Sequence, residues 1–132
     1  MQLNTPYPYR EFERKAFNHR IDLKQLIDSI NNSNKKIAGY GASTKGNVIL
    51  QFCNFTTNDL FGIAEVNEDK FNKFTPGSNI PILSEQEIKN SKPDYLLVLP
   101  WHFRENIVER EKEFLRKGGK LIFPLPEIEI VG

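Results

Sequence analysis

The 132-residue sequence predicts a three-layer α/β/α domain built on a mostly parallel sheet of four to five strands. Three observations predict it. Short apolar runs alternate with amphipathic stretches along the chain, the order that places helices on both faces of a parallel sheet. The run "DYLLVL" (94–99) is continuous in apolar residues, as in a strand covered on both faces. The stretch "IAGYGASTKGNVIL" (37–50) stops at two glycines, passes small hydroxyl residues and a lysine, and turns apolar again. That is the pattern of a strand bending sharply into a helix, with glycine supplying the unusual backbone angles.

The elements follow in order. Residues 1–8, "MQLNTPYP", carry two prolines and no periodicity, and read as a leader or linker ahead of one domain, 9–132. From Tyr9 the residues Phe12, Ala16, Leu23, Leu26, Ile27 and Ile30 recur at three- and four-residue spacing, which predicts an amphipathic helix over 9–30. "NNSNK" (31–35) ends it, and "KIAGY" (36–40) reads as the first strand. Gly46 to Phe52 starts a second helix. "LFGIAEV" (60–66) is the second strand, followed by a polar loop (67–79) with a turn at Pro76–Gly77. "IPIL" leads to Ser84, which forms a capping box with Glu87, each satisfying the other's exposed backbone donor, and so opens a short helix. The third strand, 94–99, is broken by Pro100. An amphipathic helix over 103–117 then turns Ile107, Val108, Phe114 and Leu115 inward, with Gly118–Gly119 at its C-terminus. "KLIFPL" is the fourth strand, and "EIEIV", alternating with period two, is the candidate fifth.

Composition removes several function classes. Eighteen Lys and Arg against seventeen Asp and Glu leave a net charge of +1, which gives no support for nucleic-acid or membrane-surface binding. A single cysteine, Cys53, rules out an intrachain disulfide and fits a reducing, cytoplasmic setting. The first twenty residues hold no signal-peptide core, and no apolar run reaches the roughly 18 residues that span a bilayer. Cys53, His19 and His102 lack metal-ligand spacing. Cys53 sits in an apolar helical stretch and reads as a packed small residue. Ser43 lies in Gly-Ala-Ser rather than a nucleophile elbow. No catalytic constellation is complete, which favours a binding domain over a self-sufficient enzyme.

Ligands of such sheets bind at the carboxyl ends of the strands. Here 41–46, 65–67, 100–103 and 123–126 meet at that edge. The bend at Gly41–Gly46 precedes a helix, whose N-terminus attracts anions, and Ser43, Thr44 and Lys45 add donors and a charge. Gly41 to Gly46 has the spacing of a P-loop, but Asn47 and Val48 stand where Lys and Ser/Thr are needed, which excludes a nucleoside triphosphatase. Gly39, Gly41 and Gly46 give GxGxxxxG, two residues longer than the dinucleotide fingerprint, with Glu65 as the acid ending the second strand. A phosphate, a dinucleotide and an empty structural turn are all readings of these residues. At "PWHF" (100–103), Trp101 is a stacking surface or a core filler, and His102 a proton donor or a helix cap. Arg104 pairs with a phosphate or belongs to the solvated charges of its helix.

The ordered segments "GYGASTKGNVILQFC" (39–53), "FTPGSNIPI" (74–82) and "PDYLLVLPWHFRENIVEREKEFLRKGGKLIFPLPEIEIV" (93–131) resemble the C-terminal domain of bacterial sugar C-methyltransferases. These enzymes methylate a carbon of a nucleotide-linked keto-sugar with S-adenosylmethionine, and the resemblance runs from about Tyr9 to Val131. It implies a Rossmann-like fold and a place in a three-part chain. The first part binds zinc, the middle part holds the methyl donor and the general base, and the last part closes over the nucleotide-sugar. By this resemblance the 132 residues bind no cofactor alone and are catalytically incomplete. Their partners are a nucleoside-diphosphate sugar and a methyltransferase domain in cis or in trans. The diphosphate falls near Gly41–Asn47, with Gly41, Ser43, Thr44, Lys45, Gly46 and Asn47 around it. Thr75, Trp101 and His102 line the sugar or base side. The alternatives are a stand-alone dinucleotide- or coenzyme A-binding domain and a non-catalytic docking module.

Overall fold

A computed structural model describes residues 7–42, 44–125 and 127–132, and the side chains of all of these except 7–17, 44 and 45. Along the chain come α1 (Tyr7–Asn32), β1 (Ile37–Tyr40), α2 (Thr44–Phe52), β2 (Ile63–Glu65) and β3 (Ile82–Ser84). Then follow α3 (Glu85–Asn90), β4 (Tyr95–Val98), α4 (Arg104–Arg110), α5 (Lys112–Arg116), β5 (Lys120–Phe123) and β6 (Glu129–Val131). Short 3-10 turns occupy Glu68–Lys70 and Trp101–Phe103.

The strands form one sheet in the order β3-β2-β1-β4-β5-β6. The first five are parallel and β6 runs antiparallel to β5. The fold is therefore the expected α/β class with a mostly parallel sheet. The strand order reverses between β1 and β4, which defines the switch point where loops splay apart and ligands enter. Among the described residues no helix is long and apolar enough to cross a membrane.

Side-chain alternation along the strands builds two apolar layers. Ile37, Ile63, Leu97 and Ile122 face one side, where Leu23 and Ile27 of α1 and Ile49 and Leu50 of α2 cover them. Ala38, Ala64, Leu96 and Leu121 face the other, under Ile88 of α3, Ile107 of α4 and Phe114 of α5. Burial on both faces is why β4 reads as an unbroken apolar run.

Four features differ from the sequence reading. The sheet has six strands rather than four to five, because Ile82–Ser84 is a strand and not only an approach to a helix. It is three residues long, too short to show a period. It is stabilised from both sides, by β2 in register Ile63↔Ile82 and by the Asn72–Lys73 segment, which exchanges backbone hydrogen bonds with Ile82 at 3.0 and 2.8 Å. The capping box is half formed. Ser84 Oγ accepts the Glu87 N–H at 3.1 Å, while the Glu87 carboxylate accepts from the Ser84 hydroxyl rather than from its backbone. Ser84 is also the last residue of β3, paired with Glu65. Finally, the helix expected over 103–117 is preceded by a 3-10 turn and divided at Glu111. Glu111 keeps both i→i−4 hydrogen bonds around it, but its backbone leaves the helical range as its carboxylate turns into the core. Helix α1 starts at Tyr7, two residues ahead of expectation; of the predicted leader, residues 1–6 lie outside the described residues.

Candidate functional site

The bend after β1 is held from three directions. Gly41 has φ +79, and a Cβ there would stand 2.9 Å from the ring of Pro100, at the end of β4. Glycine thus meets both a backbone and a packing demand, and it lets the β1 and β4 corners touch. The Ala42 N–H donates to Glu65 Oε1 at 2.9 Å, and Lys70 Nζ donates to the Ala42 carbonyl at 2.9 Å. The other oxygen of Glu65 accepts the N–H groups of Val66 and Asn67, both at 3.0 Å. The carboxylate that ends β2 is therefore spent on three backbone donors. In dinucleotide-binding sheets the acid at this place accepts from ribose hydroxyls; here it holds the backbone of the two loops together.

Helix α2 begins at Thr44 and points its N-terminus at this edge. Ser43 and the side chains of Thr44 and Lys45 lie outside the described residues. Gly46 is buried in the first turn. Asn47 follows it, partly buried, with Oδ1 shielded from solvent and without a hydrogen-bond partner among the described residues. Lys70, unforeseen in the sequence, brings an ammonium group to the bend.

The remaining predicted residues are placed differently from one another. Thr75 is buried, and its hydroxyl is used inside its own loop, accepting the Ile80 N–H at 3.0 Å and bonding the Ser78 hydroxyl. These two bonds close the 75–80 loop. That loop is tied to α2 by Gln51 Nε2 donating to the Pro76 carbonyl at 2.7 Å. Trp101 is half-buried against both apolar layers. His102 is exposed and sits edge-on to Trp101, ring centres 5.6 Å apart. Arg104 forks onto Glu129 at 2.8 and 2.7 Å and onto Glu105 at 2.6 Å. Those hydrogen bonds raise the guanidinium's pKa and lower that of Glu129, and they bind Arg104 to carboxylates rather than leaving it for a phosphate.

A cleft of about 270 Å³ opens beside Gly41, between the start of α3 and α4. Val66, Glu85, Phe103, Asn106 and Arg110 line it, and Tyr40 forms part of its floor. Behind it runs a chain of polar contacts. Glu85 pairs with Arg110 at 2.8 Å, Arg110 donates to the Tyr40 hydroxyl at 2.8 Å, and Tyr40 donates to Glu111 Oε2 at 3.0 Å. Lys89 Nζ completes it at 2.8 Å from Glu111 Oε1. Glu111 is only 2% exposed, so its charge needs these partners. Burial first, and the neighbouring Glu111 second, hold the Tyr40 phenol well above its ordinary pKa, so it stays a donor. Sequence reasoning missed Tyr40, Glu85 and Arg110 because charges on an amphipathic helix look solvated; the one available signal was a tyrosine hydroxyl inside an apolar strand, directly before Gly41. A larger groove, about 580 Å³ around Phe114, Lys92 and Gly119, lies at the opposite, amino edge of the sheet, away from the switch point.

The sheet order and the helices on both of its faces define a Rossmann-like α/β domain. Residues 1–126 match the C-methyltransferase C-terminal domain family, and the chain belongs to it. It is 36% identical over 123 residues to the C-methyltransferase NovU of Streptomyces niveus, a match that covers 93% of this chain and 29% of that protein. The chain thus spans less than a third of the length of this curated relative.

Proposed function

We propose that this domain binds the nucleoside-diphosphate sugar of an S-adenosylmethionine-dependent sugar C-methyltransferase, and that a methyl-donor-binding domain, in cis or in trans, completes the reaction. The observation that carries this reading is the bend at the switch point. There Gly41 brings bare backbone to the edge, and α2 directs its N-terminus at the same place. Lys45 and Lys70 supply positive charge for a diphosphate, and Ser43, Thr44, Gly46 and Asn47 supply donors around it. Trp101 and His102 stand next to that edge, on the β4 side. Membership of a C-methyltransferase family supports the reaction class. The domain leaves the methyl transfer itself to its partner, in keeping with the commitment of Glu65 to the backbone.

Thermal denaturation against thymidine, uridine, guanosine and cytidine diphosphates, NAD, coenzyme A and S-adenosylmethionine tests the reading. One nucleoside diphosphate at a hundred times its Kd should add about 2.7 kcal/mol to stability, with no response to the methyl donor. Lys45→Ala should weaken the diphosphate about tenfold, the loss of one charge-assisted hydrogen bond, and leave the bare nucleoside unchanged. Micromolar binding of S-adenosylmethionine, or equal weakening of nucleoside and diphosphate, would overturn it.

A further inference from the structure

We infer that the groove at the amino edge of the sheet is a second binding site, and that it takes a small organic acid with a flat apolar body and a carboxylate. It lies at the edge opposite the switch point and does not depend on the reading above.

The loops that lead into β4 and β5 form the groove, together with the ends of α3 and α5. Phe114 supplies its aromatic surface. The ring is anchored in the apolar layer of that side and lies against Gly119, where a Cβ would stand 2.4 Å from it. Pro93 adds a second apolar face. At Gly118 the chain turns with φ +98, and a Cβ there would meet nothing within 4 Å, so the groove is open on this side. A volume of about 580 Å³ is that of a small-molecule pocket. Its nine lining residues fall well short of the roughly twenty per side of a stable protein interface.

Lys92 gives the groove its chemistry. Its backbone is left-handed, φ +55, where its N–H closes α3 on the Lys89 carbonyl at 3.0 Å. Glycine and asparagine make such a turn at least cost. Among the described residues the other four non-glycine positions with positive φ are all asparagines. Lysine at 92 therefore carries backbone strain that its turn does not require, and such strain gathers at ligand sites. Nor does α3 need it to offset its terminal carbonyls, since Lys89 already stands in the last turn. The Lys92 ammonium makes no ion pair or side-chain hydrogen bond among the described residues, and the same holds for Lys117 at the end of α5.

The other charges of the lining are committed. Lys89 is paired with the buried Glu111, and Glu113 with Arg116. Asp94 accepts the Lys36 N–H at 2.8 Å. Two uncommitted ammonium groups against the one carboxylate of Asp94 leave the groove positive. A carboxylate entering it gains charge-assisted hydrogen bonds, and a flat apolar body gains contact with Phe114 and Pro93.

Calorimetric titration of the chain with naphthalene-2-carboxylate, its neutral amide and acetate tests the site. The variants are Lys92→Asn, Lys117→Gln and, as a lysine outside the lining, Lys112→Gln. The carboxylate should bind at submillimolar concentration and about tenfold more tightly than the amide or acetate, the worth of one charge-assisted hydrogen bond. Lys92→Asn and Lys117→Gln should each weaken it about tenfold and leave the amide unchanged, while Lys112→Gln matches the parent. Lys92→Asn should also keep or raise the urea midpoint, because asparagine relaxes the turn, so that its weaker binding does not come from unfolding. The site falls if the parent does not bind the carboxylate, if the amide binds as tightly, or if Lys92→Asn binds like the parent. A urea midpoint lowered by Lys92→Asn would remove the strain and the proposal with it.

Discussion

At the scale of single residues, Gly41 carries the strongest constraint. Its positive φ and the 2.9 Å approach to Pro100 leave no room for a methyl group. Gly41→Ala should cost about 1–3 kcal/mol through strain at this angle, before any repacking of the β4 corner. With a urea slope of about 1–3 kcal/mol/M, the denaturation midpoint should fall by roughly 1 M; an unchanged midpoint would refute this account of the bend. Glycine spacing made this residue legible in the sequence. Glu65 was half legible: its place at the end of β2 could be read, but its hydrogen bonds to Ala42, Val66 and Asn67 depend on loops whose course no local pattern encodes. Thr75 shows a related limit: its hydroxyl pins its own loop through Ser78 and Ile80, partners that the Thr-Pro-Gly pattern does not announce.

Among the elements, the strands and most helices followed from periodicity, because burial on two faces or one imprints a period on the chain. What escaped were features set by a distant partner. The break between α4 and α5 arises because Glu111 reaches Tyr40, 71 positions away, and no window of helix sequence contains that information. The same carboxylate ties α3 to α4 and α5 through Lys89. Lys89→Met should cost about 2–3 kcal/mol, less than the loss of a fully buried partner because Lys89 is itself partly exposed, and it leaves a buried charge without its ammonium. Adding Glu111→Gln should recover more than half of that cost, since the stranded charge is removed. Urea denaturation of the two singles and the double gives the coupling, and additive losses would contradict the Lys89–Glu111 link.

For the whole molecule, the expected consequence is a stability that declines in alkali. Burial pushes the Cys53 thiol from 9.0 up to about 11, and burial with Glu111 raises Tyr40. Both are acids whose folded pKa lies above the unfolded one. As pH rises past 9, the unfolded chain releases protons that the folded chain keeps, so unfolding is favoured. From pH 9 to 11 the Cys53 contribution should remove roughly 1–3 kcal/mol, and Cys53→Ala should flatten that part of the profile. A parent midpoint constant from pH 8 to 11 would rule this out. The chain from Lys89 through Glu111, Tyr40 and Arg110 to Glu85 also bears on how this family drifts. Its members are useful only together, so the five positions should change as a block across descendants of a common ancestor. A lineage that trades the acid at 111 for an apolar residue gives up the reason to keep a base at 89 and a phenol at 40.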